Sequence, residues 1–479
     1  MASNERPSNE AQETVDLVRH AFARPRSAVR SLAASSATTP VSVLQAFDFG
    51  SLPEYEQLKI QKAAGAIAGI ENPFYRLHDG RASDTTSIDG RTMVNFSSYD
   101  YLGLNGHPRV VAAAKDAIDH YGTSVSASRL TAGERQLHRD LEKSLADLHG
   151  VDDAVSFVSG HATNVSVIGG LLGPEDLVVT DTLIHNSVVE GAKLSGAKRI
   201  QCAHGDLEAF ERALRLNRMR YRRALIVVEG LYSMDGDVAD LSALIKLKRR
   251  YDAWLMVDEA HSIGVLGARG RGLAEEQNVD PRDIEIWMGT LSKALTSAGG
   301  YIAGSRQLVE LLKYTSPGLV YSVGCPPPVV AAASSAIAMM QEEPWRLRKL
   351  RENGQYFLAS AKAHGLNTGL SIGASVIPVI VGSSPATVIL SHRLQARGYN
   401  VVPIIFPGVA ENQSRLRFFL TSRHSLGQID GVLHALAEEL PKVLNAPSFM
   451  NLIAGRQDEP GGTAGSSRSP QDRTSPGGR

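Results

Sequence analysis

Between positions 153 and 304, short apolar runs recur at intervals, and this alternation is what most constrains the fold. The runs 154–158, 177–180, 224–228, 254–257, 284–288 and 301–303 are rich in β-branched residues and lie between segments of helix length. Runs this brief, so separated, predict buried strands of a mostly parallel α/β sheet. Segment 241–250 typifies the intervening helices: Leu241, Leu244, Ile245 and Leu247 mark one face just ahead of run 254–257. Past Pro326, Pro327 and Pro328 the pattern changes, as a proline run should end one element sharply. Helical segments at about 329–340 and 344–364 lead to strand-like stretches at 376–381, 401–405 and 415–420, with a closing helix near 426–440. A smaller C-terminal α/β domain packed on the first is expected. The organisation read from this is an extension over 1–50, an N-terminal segment over 51–107, a large domain over 108–335, a small domain over 336–450 and a tail over 451–479.

The two ends lack such patterning. Residues 1–50 are polar and rich in Ala and Ser, and the tail is dominated by Gly, Ser, Pro, Asp and Arg, so both are expected to be flexible. Segment 18–37 carries the Arg and Ser of an organelle transit peptide, but Glu5, Glu10, Glu13 and Asp16 precede it, and such peptides avoid acids. No apolar run approaches the roughly 20 residues of a spanning helix. Lys plus Arg and Asp plus Glu balance at 50 each, which removes any bulk attraction to nucleic acid or anionic membrane. Cys202 and Cys325 are too few for a disulfide framework and suit a reducing, cytoplasmic location. Neither has metal-ligand spacing around it, and no metal is expected.

Chemistry gathers where the strands of an open α/β sheet end. Run 254–257 delivers Asp258, followed by Glu259, Ala260 and His261, and run 284–288 leads into Thr290-Leu-Ser-Lys293. A strand-end acid followed by a lysine after a later strand is what a pyridoxal 5′-phosphate (PLP) site requires. The lysine holds the aldehyde as a Schiff base, and the carboxylate pairs with the protonated pyridine nitrogen and keeps the ring electron-poor. The phosphate needs amides and hydroxyls. Ser159-Gly-His-Ala-Thr-Asn164 follows run 154–158 and opens a helix, offering free amides and a favourable dipole. Each piece alone is common; the three in this order, on successive strand ends, carry the reading.

The strings then become specific. Asn95-Phe-Ser-Ser-Tyr-Asp-Tyr-Leu-Gly-Leu104, the Gly160 turn, Asp181-Thr-Leu-Ile-His185, Glu229-Gly-Leu-Tyr-Ser-Met-Asp-Gly-Asp237, Val257-Asp-Glu-Ala-His-Ser262, Gly267-Ala-Arg-Gly-Arg-Gly272 and Gly289-Thr-Leu-Ser-Lys293 resemble the α-oxoamine synthases. The likeness extends over residues 60–445. It implies a PLP-dependent transferase of fold type I, with a large PLP-binding domain, that condenses a small amino acid with an acyl thioester and releases carbon dioxide. By the same resemblance, Lys293 would be the Schiff-base lysine and Asp258 the pyridinium partner. His185 would stack on the ring and help place the thioester carbonyl. Ser233 and His261 would bond the cofactor's 3-oxygen, and the Gly160 and His161 amides with Thr290 would hold the phosphate. Members resemble one another in being homodimers with shared sites, so Ser322 would reach the neighbouring subunit's phosphate. Arg415, in Ser414-Arg-Leu-Arg417, would clamp the substrate carboxylate, a task suited to a guanidinium fork.

Two positions depart from the pattern. Tyr99 stands where several members carry a substrate-contacting asparagine, and His161 replaces a frequent aromatic. Tyr99 bears on substrate identity rather than on the cofactor. Some strings lean toward serine palmitoyltransferase and others toward 8-amino-7-oxononanoate synthase. A polyketide-associated relative fed by an acyl-carrier protein instead of coenzyme A is a third form. The reading adopted is serine, alanine or glycine with a long-chain or polyketide acyl donor. Its rivals are an aminotransferase of the same fold and a catalytically silent partner subunit, the latter opposed by the presence of Lys293 with Asp258 and His185.

Overall fold

The computed structural model describes residues 48–67 and 69–445. The expected tail over 451–479, the transit-like segment 18–37 and all but the last residues of the extension over 1–50 lie outside them. The chain forms two units, Met1–Asn72 with Asn445–Arg479, and Pro73–Leu444. The described part of the first is a short turn, Phe49–Ser51, capped by the Asp48 carboxylate, and a helix, Pro53–Ile67. The strands, all in the second unit, are β1 (His78–Asp79), β2 (Thr85–Ile88), β3 (Arg91–Asn95), β4 (Asp153–Phe157), β5 (Leu177–Asp181), β6 (Lys198–Cys202), β7 (Ala224–Glu229), β8 (Trp254–Asp258), β9 (Ile286–Thr290), β10 (Gly300–Gly304), β11 (Val376–Gly382), β12 (Tyr399–Asn400), β13 (Pro403–Ile404) and β14 (Ser414–Phe419).

Seven of them form one sheet in the order β4-β10-β9-β8-β7-β5-β6. From β9 through β6 neighbours run parallel, and only β10 is antiparallel to its two neighbours. Every residue of β5, β7, β9 and β10 is buried. The two-residue period of a strand sorts these side chains into two cores. Leu177, Val179, Ile226, Val228, Leu255, Val257 and Trp287 pack into one, with Leu141 and Leu145 of the helix Gln136–His149. Val178, Leu225, Val227, Met256, Ile286 and Met288 pack into the other, with Val167 and Ile168 of the helix Gly160–Leu171 and Val188 of the helix Asn186–Ser195. Each fully buried aliphatic or aromatic side chain contributes about 1.5–3 kcal/mol, so both helical layers are held to the sheet. The parallel arrangement has one consequence for function. It brings Asp181, Glu229, Asp258 and Thr290, the last residues of β5, β7, β8 and β9, to a single edge.

The C-terminal part differs from expectation in one respect. The expected strand 401–405 is two short ones in different sheets. Tyr399–Asn400 pairs in parallel with β3, while Pro403–Ile404 pairs antiparallel with β14. Ser97 Oγ accepts from the Val402 amide at 3.1 Å, and Asn400 Nδ2 donates to Asn95 Oδ1 at 2.9 Å. The chain therefore crosses from the N-terminal ribbon to the three-stranded sheet β11-β14-β13 at this point.

Candidate active site

Asp258 ends β8 with 4% of its surface exposed. Burying a carboxylate is costly unless it is bonded, and both its oxygens are: Oδ1 accepts from the Ala260 amide at 3.0 Å and Oδ2 from Asn164 Nδ2 at 2.9 Å. Asn164 lies one turn into the helix Gly160–Leu171, and the same Nδ2 donates to Ser187 Oγ at 2.9 Å. Ser187 Oγ in turn lies 2.7 Å from His185 Nδ1, which also accepts from the Ser187 amide at 3.3 Å. With the Asn164 amide donating to the Ser187 oxygen, the hydroxyl proton is left for His185 Nδ1. The neutral ring therefore carries its proton on Nε2. Burial, followed by the Lys293 and His161 charges, holds the His185 imidazole below its usual pKa against the pull of Asp258, which favours that neutral form. A continuous relay thus runs from Asp258 through Asn164 and Ser187 to His185.

Beside it, Ser159 caps the helix Gly160–Leu171 by accepting from the Ala162 amide, so the Gly160 and His161 amides point out of the helix start. The backbone here is close-packed: a Cβ on Gly300 would come within 2.6 Å of Gly160 Cα, and one on Gly160 within 3.1 Å of Thr290 Oγ1. Thr290 Oγ1 donates to the Gly299 carbonyl at 2.9 Å and lies 2.8 Å from Ser292 Oγ. Two free amides, a helix dipole and two hydroxyls form a cradle for a phosphate.

Lys293 follows on the β9 turn, its Nζ 5.7 Å from the centre of the Tyr99 ring. Burial lowers its pKa and Arg417 adds to this, while Asp258 and Glu229 oppose. His261 is buried, its Nδ1 2.7 Å from the Tyr101 hydroxyl and its ring edge-on to Tyr99. Burial, with Lys293 and Arg417 beyond it, pushes the His261 imidazole well below its usual pKa. Gly160, His161, His185, Asp258, Thr290 and Lys293 line one cavity of about 360 Å³, which His261 and Glu229 also border. Ser233 sits behind Glu229, its amide donating to Glu229 Oε2 at 3.0 Å.

Four expected site residues do not line this cavity: Tyr99 lies beside Lys293 and Ser233 beside Glu229, while Ser322 and Arg415 bond elsewhere. Ser322 lies outside the cavity lining, its hydroxyl directed to the Val323 carbonyl at 3.3 Å. Arg415 is 3% exposed, and two of its three nitrogens are engaged: Nη1 bonds Asp235 Oδ1 at 2.7 Å and the Met234 carbonyl at 3.0 Å, and Nε bonds the Gln413 carbonyl at 2.9 Å. Asp235 thus already neutralises the guanidinium from which a substrate-carboxylate clamp was expected. Arg417, two residues on and on the same strand face, lies nearer the cavity. Its guanidinium stacks 4.6 Å from the Phe419 ring centre, Nη1 donates to the Ser233 carbonyl at 3.0 Å, and its buried Nε is unbonded. Its charge acts on Lys293, His185 and His261 together.

Sequence reasoning did not single out Asn164, Ser187, Tyr101, Glu229 or Arg417. Asn164 follows Gly160 by one helical turn, which was the available signal for a side chain over the same strand end. A further fixture is His204, whose Nδ1 lies 3.0 Å from both Asp181 oxygens and whose Nε2 lies 2.8 Å from Asp237 Oδ2. It ties the loop that carries His185 to the loop that carries Ser233.

Comparison with known proteins gives a consistent result. The family model described as aminotransferase class I and II matches residues 91–436. An 8-amino-7-oxononanoate synthase of Bacillus pumilus is 37% identical over 368 residues, covering 76% of this chain and 92% of that protein. The serine palmitoyltransferase of Sphingomonas wittichii superposes with a TM-score of 0.78 at 28% identity, covering 84% of this chain and all of that one. A serine palmitoyltransferase solved with PLP superposes with a TM-score of 0.78 at 26% identity, covering 83% of this chain and 99% of that one.

Proposed function

The chain belongs to the aminotransferase class I and II family, and on that premise we propose that it condenses a small amino acid with an acyl thioester, using PLP. The observation that carries the proposal is the convergence on one cavity of a buried, doubly bonded Asp258, a lysine whose pKa is lowered by burial, and an open helix start. These residues fit PLP. Asp258 offers a fixed negative charge to a ring nitrogen, Lys293 an amine to an aldehyde, and the Gly160 and His161 amides with Thr290 a cradle to a phosphate. When bound, PLP supplies an electron-poor ring that absorbs the negative charge developing at the amino acid's α-carbon.

The remaining work falls to side chains of this protein. Arg417, whose buried Nε is unbonded and whose charge acts on Lys293, His185 and His261, would hold the substrate carboxylate through charge-assisted hydrogen bonds. Lys293 Nζ, an amine whose pKa burial lowers, would take the proton from the α-carbon. His185 would pack over the cofactor, and because Nδ1 accepts from Ser187 its Nε2–H would be free to donate to the thioester carbonyl. Ser233 and His261 would hold the cofactor's 3-oxygen. Tyr99, over Lys293 and edge-on to His261, walls the amino-acid side and favours small side chains such as those of serine, alanine or glycine. The 8-amino-7-oxononanoate synthase and serine palmitoyltransferase relatives support a thioester as the second substrate.

We extend the reading to a cytoplasmic homodimer in which Ser322, absent from the lining of its own chain's cavity, reaches the phosphate of the partner subunit's site. Among the described residues no helix is long and apolar enough to cross a membrane. The test is Lys293→Ala, with turnover followed by carbon dioxide and thiol release. Loss of turnover with an unchanged thermal transition is expected, and turnover near the wild-type rate would refute the proposal.

A further inference from the structure

The cavity floor holds a second carboxyl that none of the roles above uses. Glu229 ends β7 directly beside Asp258, its partner in the parallel β7–β8 register. Strand neighbours lie roughly 5 Å apart, and partners in register project to the same face. Two carboxylates so placed, 3% and 4% exposed, cannot both stay ionised at little cost. Their bonding distinguishes them. Both Asp258 oxygens accept hydrogen bonds, from Asn164 and from Ala260. On Glu229, Oε2 accepts from the Ser233 amide at 3.0 Å, while Oε1 is buried without a partner.

Resting on the PLP reading of this site, we propose that Glu229 is a protonated positioning acid. It carries its proton on Oε1, leaves the floor's single negative charge on Asp258, and fixes Ser233 through its amide. The asymmetry of the hydrogen bonds carries this: an acceptor-saturated carboxyl is the natural anion, and one with an unbonded buried oxygen is the natural acid. The groups around Glu229 divide in sign. Asp258 on β8 favours the neutral form, whereas Lys293 on the β9 turn favours the charged one. His185 and His261 are held neutral, and Tyr232 on its own loop is a neutral phenol. Burial, then the Asp258 charge, raises the Glu229 pKa far above the carboxylate range. The same cause lifts Glu259 to about 7, where it bonds the Ser262 hydroxyl and the Leu273 amide.

The discriminating variant is Glu229→Gln, which keeps an acceptor for the Ser233 amide and a donor at the other position but cannot titrate. PLP affinity is measured from cofactor absorbance in wild type, Glu229→Gln and Glu229→Ala between pH 6 and pH 9.5. Glu229→Gln is expected to bind PLP within about threefold of wild type and to lack an alkaline inflection that wild type shows. Glu229→Ala is expected to bind at least tenfold more weakly. Should Glu229→Ala fail to fold, the Gln variant decides. An inflection retained in Glu229→Gln, or tenfold weaker binding at pH 7, overturns the proposal while wild type binds PLP normally. A wild-type protein that takes up no PLP overturns this inference and the proposed function together.

Discussion

Arg415 and Arg417 sit two residues apart on one face of β14, and replacing each by methionine should separate structural from substrate-binding roles. Arg415 is 3% exposed and paired with Asp235 at 2.7 Å, and Asp235 Oδ2 is already buried without a partner. Removing the guanidinium leaves a buried, uncompensated carboxylate, at a cost of about 3–5 kcal/mol. With an unfolding entropy of roughly 2 cal/mol/K per residue, that lowers the melting temperature of the Pro73–Leu444 unit by about 4–6 °C. Arg417 makes one carbonyl bond, one contact to the Met234 sulfur at 3.3 Å and one ring contact, none with an opposite charge, so its loss should move stability much less. What it removes is the partner of a substrate carboxylate, a loss of about 2–4 kcal/mol, or roughly 30- to 700-fold in apparent affinity. Differential scanning calorimetry and amino-acid titration of the cofactor spectrum measure the two effects in the same samples. A stable Arg415→Met protein with weak amino-acid binding, beside an Arg417→Met protein that binds normally, would refute the assignment.

Further consequences follow from the relay and the strut around the site. Ser187→Ala removes the bond that fixes the His185 tautomer, and a hydrogen bond of this kind is worth about 1–2 kcal/mol. Turnover should fall roughly five- to thirtyfold with PLP affinity nearly kept, as steady-state kinetics and PLP titration would show. His204 is opposed by burial, but its bonds to Asp181 and Asp237 prevail and raise its pKa to about 10. Since the folded value lies above the unfolded one, its contribution to stability is fully present below about pH 6.5 and is lost as pH rises toward 10. His204→Gln should therefore remove up to about 1.4 kcal/mol per pH unit of slope from urea-unfolding free energies measured between pH 7 and pH 9.5. An unchanged slope would contradict the strut.

Much of this was legible in the chain, and the limits are physical. Strands β5, β7 and β8 were readable because burial on both faces makes them continuous apolar runs. Strand β6, with Lys198, Arg199 and Gln201, was not, because an edge strand keeps polar residues against solvent. Asp258 and Lys293 were recognisable since each follows an apolar run with a spacing the chemistry demands. The choice between Arg415 and Arg417 was not recoverable, because it depends on Asp235, which only the fold brings alongside β14. Glu229 stood inside a recognised string, yet its meaning lies in the β7–β8 register, which no local pattern encodes.

The most direct test of the central claim is the absorbance of the PLP-loaded protein as serine, alanine and glycine are added one at a time. The account predicts a saturable spectral change with at least one of them in wild type, and none in Lys293→Ala. A wild-type protein that shows no lysine-bound cofactor band after PLP is supplied would contradict it and favour a catalytically silent partner subunit.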